Sequence, residues 1–339
     1  MKGPSYVKDL NAALKKCMEA EPRVYLWGED VLDPYGGAFK ATAGLSSAFP
    51  GRVITTPISE AAIVGMAVGA AMRGLIPVVE IMFGDFLTLA ADQLVNHASK
   101  FAGMYNGALA VPMVVRTPMG GGRAYGPTHS QTLEKHLLGV PGLRVVAPSH
   151  FVSPGSVLEK AILDDPMPVL FIENKLLYPL ALCGQGTGRL DVEVLAEPIG
   201  AYPCVRVRNY GGADVVPDVT VVTYGGVSRL LEKPLEELAN EEVWVEAFLP
   251  VELRAGPYAV IARSCRQTRR VLLIEESTAG FGWTAEVARG LAQEMWHDTT
   301  LKLRSLEAAE SVVPSQRTME EAMLPSAKRI RDAVLEMME

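Results

Sequence analysis

The chain has little of what several functional classes require. Its four cysteines, Cys17, Cys183, Cys204 and Cys265, form no CxxC pair and no metal-ligand spacing, so they read as free thiols in a reducing compartment. Positive charge is in deficit. With 32 Lys and Arg against 39 Asp and Glu the net charge is −7, nothing offsets phosphate repulsion, and no nucleic-acid partner is expected. No apolar run approaches the roughly 20 residues that cross a bilayer. The longest, Ala61 to Met72, stops at Arg73, so no membrane partner is expected either. The N-terminal MKGPSYVKDLNAALKKCMEA lacks the continuous apolar core of a signal peptide and reads as an amphipathic helix. What is present, 49% hydrophobic and 21% charged residues over 339 positions, is the composition of an intracellular globular protein with two domains.

β-branched runs alternate with helical patterns through the first half. Strands are expected at 23–29, 52–56, 76–82, 112–117, 143–149 and 168–174, with helices near 6–20, 60–73, 85–103 and 153–164. Near-continuous apolar strands separated by helices point to a doubly wound parallel sheet, which binds ligands at the carboxyl ends of its strands. Across 181–217 the periodicity fails and Pro and Gly punctuate the chain, which reads as a linker. Alternation restarts with strands at 219–225, 243–248, 269–276 and 302–306, and a charged helix over 318–338 closes the chain. The fold class is therefore α/β, with domains at 1–180 and 218–339.

One acid stands out in 56-TPISEAAIVGMAVGAAMRG-74. Ser59 is placed to cap the following helix, and Glu60 would lie in its first turn, where the helix dipole favours negative charge. Glu60 also projects at the sheet's carboxyl edge, before a smooth face of Ala61, Gly65 and Gly69 that a backbone or flat ligand could approach. An acid in apolar surroundings there could share a proton with a ligand nitrogen. After the next strand, 80-EIMFGDF-86 brings Met82 and Phe86 to the same edge, where they could sandwich a planar heterocycle, while Phe83 reads as core. The glycine-rich 117-TPMGGGRAYGPTHSQTLE-134 makes a closely approached loop, and His129 on it is a candidate acid or carboxylate-binding group.

Together with 143-LRVVAPS-149 and 173-ENKLLY-178, these stretches resemble the beta subunits of thiamine-diphosphate-dependent 2-oxo acid dehydrogenases, which act on pyruvate, branched-chain 2-oxo acids or acetoin. The resemblance runs over nearly the whole chain and is densest from about 20 to 180. It implies a pyrimidine-binding domain at 1–180 and a smaller transketolase C-terminal-like domain at 218–339. It also implies that Glu60 hydrogen-bonds the aminopyrimidine ring of thiamine diphosphate, favouring its imino tautomer. Ile58, Met82 and Phe86 match positions that pack around that ring, and His129 matches an active-site histidine near the substrate carboxylate or the acyl acceptor. The family's Mg2+ motif begins Gly-Asp-Gly; the near match here, Gly84-Asp85-Phe86, follows a different strand and lacks the second glycine. The resemblance thus implies half a site, with diphosphate and Mg2+ on an alpha subunit in an alpha2beta2 heterotetramer. The helix 92-DQLVNHASK-100 matches a motif expected at or near that interface.

Some family members hold a monovalent cation such as K+. Met113, Ala161, Ile162 and Asp164 match its positions, although 164-DDPMPV-169 carries one extra residue. Where the family has Asp-Leu-Arg, this chain reads 245-VEAFLPVE-252, and 253-LRAGPYAVIARSCRQTRR-270 also departs. These departures bear on docking to a lipoyl acyltransferase core and leave open a free-standing or biosynthetic relative. The resemblance implies a cytoplasmic location, or the mitochondrial matrix in a eukaryote. Two rivals are a non-catalytic structural subunit and a nicotinamide oxidoreductase, the latter suggested by 184-GQGTG-188, which follows no clear strand.

Overall fold

The computed structural model describes residues 3–183, 189–196, 199–212, 215–254, 258–298 and 300–339; the string 184-GQGTG-188 lies outside them. The chain forms two compact units. The first comprises Met1–Gly120, His136–Val146 and Ser153–Leu182, and the second Gly121–Lys135, Ala147–Val152 and Cys183–Glu339. No described helix is long and apolar enough to cross a membrane.

The first unit is built on six parallel strands: β1 Val24–Gly28, β2 Val53–Thr55, β3 Ile76–Glu80, β4 Val114–Met119, β5 Arg144–Val146 and β6 Val169–Asn174. Their order is β2-β1-β3-β4-β6-β5. Every residue of β3, β4 and β6 is buried, as expected of central strands covered on both faces. The chain leaves β1 for β2 on one side and returns to β3 on the other, which makes a switch point at the carboxyl end of β1. Tyr6–Ala20 packs against the helix Pro154–Leu163. Asp9 fixes that pairing by accepting from Ser153 Oγ at 2.7 Å and from Gly155 N at 2.8 Å.

The second unit carries β7 Asp191–Val194, β8 Cys204–Arg208, β9 Val219–Val222, β10 Val245–Pro250, β11 Arg270–Thr278 and β12 Lys302–Ala308, in the order β12-β11-β9-β10-β8-β7. Strands β9 to β12 are mutually parallel where they pair, whereas β8 runs antiparallel to both β10 and β7. Both β7 and β8 fall within 181–217, which sequence assigned to a linker. Arg208 pairs with Asp191, and Arg206 with Glu193 and Glu246. Opposite charges facing each other across strands hold an edge whose sequence looks polar and irregular.

Three further expectations change. The helix expected over 85–103 is divided into a tight turn Gly84–Thr88, a wide π-type turn Gln93–Ala98 and the helix Ser99–Met104. The helix expected over 318–338 is two helices, Arg317–Met323 and Ala327–Met338, because Pro325 breaks it and Ser326 caps the second by accepting from Arg329 N. A helix not foreseen, Ala259–Thr268, lies within the departing stretch 253–270 and buries Ile261, Ala262, Cys265 and Thr268 at helical spacing.

Candidate functional site

Register carries one row of residues across the first sheet, in which Thr55, Gly28, Glu80 and Arg116 lie side by side. The chain needs glycine at 28, because a Cβ there would stand 2.6 Å from the Glu80 carbonyl oxygen. Just beyond this row, at the switch point, β1 delivers Glu29 and β2 delivers Ile58 and Glu60.

Glu60 is the first residue of the helix Glu60–Met72 and only 4% exposed. Ser59 occupies the N-cap position, but its side chain makes no capping hydrogen bond. The Glu60 carboxylate accepts no hydrogen bond from the described residues, and its oxygens are not among the fully buried, unpaired side-chain atoms, so they keep contact with solvent. An acid whose residue is only 4% exposed, with its carboxylate open and unpaired at the switch point, is placed to meet a ligand. Glu29 is 7% exposed, and its Oε1 is buried without a hydrogen-bond partner among the described residues. Its pKa is raised, first by burial and then by the charge of Glu60, so the two acids share one field. Sequence reading passed over Glu29, though 28-GED-30 also places an acid directly after an apolar strand.

Met82 and Phe86 follow β3 at the same edge and are half-buried, and Ile58 is 83% exposed. Phe83 packs as expected: its ring lies edge-on to Phe39 at 5.8 Å and to Phe86 at 6.1 Å. Beneath them is a buried ionic network that sequence reading also missed. The Arg116 guanidinium donates to Glu173 at 2.7 and 3.0 Å and to Glu80 at 2.9 Å, and Tyr178 Oη donates to Glu173 at 2.6 Å. Burial raises the pKa of Glu80 and Arg116 opposes that shift. A cation inside a strand otherwise made of apolar residues, as in 112-PMVVRT-117, was the available signal.

His129 belongs to the second unit, not to the sequence-order domain 1–180 in which it falls. Two carboxylates of that unit hold its loop: Glu276 accepts from Gly121 N at 2.6 Å and Glu320 from Ala124 N at 2.7 Å. Gly120, Gly122 and Gly126 adopt positive φ, as does Ala124 at 56°, so the glycine run is used for its backbone freedom. Thr128 Oγ1 lies 3.0 Å from His129 Nδ1. A cavity of about 380 Å³ adjoins the loop, lined among others by Ser130, Thr132, Glu276, Thr278 and Met323. Nearby, Glu134 is fully buried and accepts from Tyr224 Oη; burial pushes its carboxyl up to about 7 against that hydrogen bond.

The four residues matched to a cation site all lie in the first unit. The Met113 carbonyl accepts from Val169 N at 2.9 Å. Ala161 and Ile162 are buried in the last turn of Pro154–Leu163, and Asp164 follows as an exposed C-cap. The neighbouring acid Asp165 is buried and paired with Arg144 at 2.6 Å.

Residues 2–181 match the transketolase pyrimidine-binding domain, and residues 211–330 the transketolase C-terminal domain. The chain is 34% identical over 322 residues to pyruvate dehydrogenase E1 component subunit beta-1, mitochondrial, of Arabidopsis thaliana, covering 95% of this chain and 85% of that one. It is 33% identical over 340 residues to the 2-oxoisovalerate dehydrogenase subunit beta of Bacillus subtilis, covering 99% and 98%. It is 31% identical over 333 residues to the acetoin:2,6-dichlorophenolindophenol oxidoreductase subunit beta of Cupriavidus necator, covering 96% and 94%. Among solved structures, a split-gene transketolase described as an inactive beta4 tetramer matches with a TM-score of 0.70 at 17% identity, covering 99% of this chain and 98% of that one, a likeness of fold.

Proposed function

The chain belongs to the transketolase-like beta subunits of thiamine-diphosphate-dependent 2-oxo acid dehydrogenases, and from that premise we propose that it completes, with an alpha subunit, a site that decarboxylates a 2-oxo acid and passes on the acyl unit. The observation that carries this reading is Glu60, an acid only 4% exposed whose carboxylate accepts no hydrogen bond from the described residues, at the switch point of a parallel sheet. Thiamine diphosphate, when bound, supplies the nucleophilic carbon and the electron sink for decarboxylation. Glu60 would hydrogen-bond a pyrimidine nitrogen of the cofactor. Its shielded setting strengthens that hydrogen bond, which bulk water would weaken. Glu29 adds a second acid at the same edge, its pKa raised by burial and then by the charge of Glu60. Ile58, Met82 and Phe86 supply the apolar wall for the ring. His129 serves the substrate carboxylate or the acyl acceptor.

Diphosphate and Mg2+ fall to the alpha subunit on this reading. Asp85 is buried, and a side chain at Gly84 would collide with Met119, so Gly84-Asp85-Phe86 is packed backbone and not an open cradle. The 83% exposure of Ile58 and the exposed Met66 and Leu89 support a covering subunit and an alpha2beta2 assembly. A K+ ion would draw on the Ala161 and Ile162 carbonyls, which a helix end leaves without intrahelical partners, together with Met113 and Asp164. Docking on a lipoyl acyltransferase core is the expected next step, in a bacterial cytoplasm or a mitochondrial matrix. The runner-up, a biosynthetic enzyme joining the acyl unit to another carbonyl, draws on the departures at 245–270.

The test is reconstitution with the alpha subunit, Mg2+ and thiamine diphosphate, followed by carbon dioxide release from a panel of 2-oxo acids. Glu60→Gln is expected to lower turnover by about 10²–10⁴-fold with assembly intact. Turnover within a factor of three of wild type would remove Glu60 from the chemistry. Release of carbon dioxide with a carbonyl acceptor but none with lipoyl protein would select the biosynthetic reading.

A further inference from the structure

Away from these residues, the second unit gathers a donor set that the sequence disperses. His150, Cys183 and Glu232 each offer one ligand atom, and these atoms all lie within 4.8 Å of one another. His150 is 1% exposed, with Nε2 2.7 Å from Glu232 Oε1; Cys183 Sγ is 3.9 Å from the same oxygen. The second ring nitrogen, Nδ1, lies 2.9 Å from Ser228 Oγ, which fixes the imidazole as an outer partner fixes a metal-bound histidine. The main chain sets the positions too, because Cys183 N donates to the His150 carbonyl at 2.9 Å and Glu232 opens the helix Glu232–Asn240. The Glu232 side chain is 47% exposed, which leaves a path from solvent.

We propose that His150 Nε2, Cys183 Sγ and the Glu232 carboxylate form a zinc site whose fourth position is taken by water. One nitrogen, one sulfur and one oxygen are the mixed donors this borderline ion takes. Zinc bonds of about 2.0–2.3 Å in a tetrahedron separate neighbouring ligands by roughly 3.3–3.7 Å. The 2.7 Å and 3.9 Å separations lie on either side of that value, and all three atoms lie within 4.8 Å of one another, close enough for side-chain adjustment to bring them onto one ion. On binding, the Cys183 thiol proton passes to solvent. The imidazole proton resides on Nδ1 and is donated to Ser228 Oγ, leaving the Nε2 lone pair for the metal. The ion would tie together three places in the second unit: the short stretch Ala147–Val152, Cys183, and the helix from Glu232.

The experiment uses the full chain with the subunit it assembles with, stripped by chelator and dialysed against Zn2+ or Co2+. About one zinc per chain is expected, and the cobalt form should show thiolate-to-metal charge-transfer absorption. Cys183→Ser should abolish that absorption, and His150→Ala and Glu232→Gln should each weaken zinc binding by about 10–100-fold, with circular dichroism unchanged. Cys183 and Glu232 are partly exposed, so their variants keep the test alive if His150→Ala fails to fold. Less than a tenth of a zinc per chain, or equal binding by wild type and Cys183→Ser, would overturn the site and leave a hydrogen-bonded triad.

Discussion

Glu80 and Glu60 are both buried at the carboxyl edge of one sheet, and the fold treats them differently. Glu80 ends β3 and meets Arg116, which also holds Glu173, whose second oxygen accepts from Tyr178. Two carboxylates share one guanidinium there, and each of them has a hydrogen-bond partner within the unit. Glu60 begins a helix one crossover away, has no hydrogen-bond partner among the described residues, and raises the pKa of its neighbour Glu29. Burial alone therefore does not mark a working acid. A paired acid belongs to the frame, and an unpaired one is stabilised only when something else binds, a distinction that mutations can separate.

The largest effect on stability should come from the paired group. Arg116→Leu leaves Glu80 and Glu173 buried without their cation and is expected to cost about 3–5 kcal/mol, read as a fall in the urea midpoint. A loss below about 1 kcal/mol would mean that the network is not holding the edge. In the second unit the comparison becomes one of pH. Glu134 has its carboxyl raised to about 7 by burial, so the folded state binds a proton that the unfolded chain has released above its ordinary pKa of 4.5. Stability from this group is complete below about pH 4.5, is lost as pH rises toward 7, and is then flat, a span of about 3 kcal/mol. Glu134→Gln should remove that slope, seen by comparing urea midpoints of variant and wild type at pH 5 and pH 7.5. An unchanged slope would assign the titration elsewhere. Smaller still is Glu320→Ala, which strips the acceptor from Ala124 N and should cost about 1–3 kcal/mol while speeding amide exchange across the glycine loop.

Sequence showed most of what depends on local pattern. Six parallel strands, the helix from Glu60, the aromatic edge and the glycine loop all have periodicity or composition that survives without a fold. What it hid depends on pairing between distant positions. In 204-CVRVR-208 the alternation is present, but the arginines mask a strand until Asp191 and Glu246 are seen opposite them. Pro325 was in plain view, and the amphipathic pattern on both sides of it concealed two helices. Arg116 and Glu173 lie 57 residues apart, and His150 and Glu232 lie 82 apart, so no spacing rule could join either pair. Ile58 was legible as apolar, but no pattern in the sequence marked it as 83% exposed.

The sharpest use of the comparison has the smallest expected stability effect. If Glu60 were a helix-start charge serving the dipole, Glu60→Gln would cost about 0.3–1 kcal/mol. If it is instead an acid kept unpaired for a ligand, the amide keeps its shape and removes its repulsion of Glu29, and stability should be unchanged or higher by up to about 1 kcal/mol. Urea midpoints of wild type and variant at pH 7 separate the two by sign. The same substitution is the one expected to lower turnover by about 10²–10⁴-fold, so stability and activity should move apart at Glu60. At Arg116 they should fall together, because losing the frame loses the site. A Glu60→Gln protein that is both inactive and clearly destabilised would return this acid to the frame, alongside Glu80.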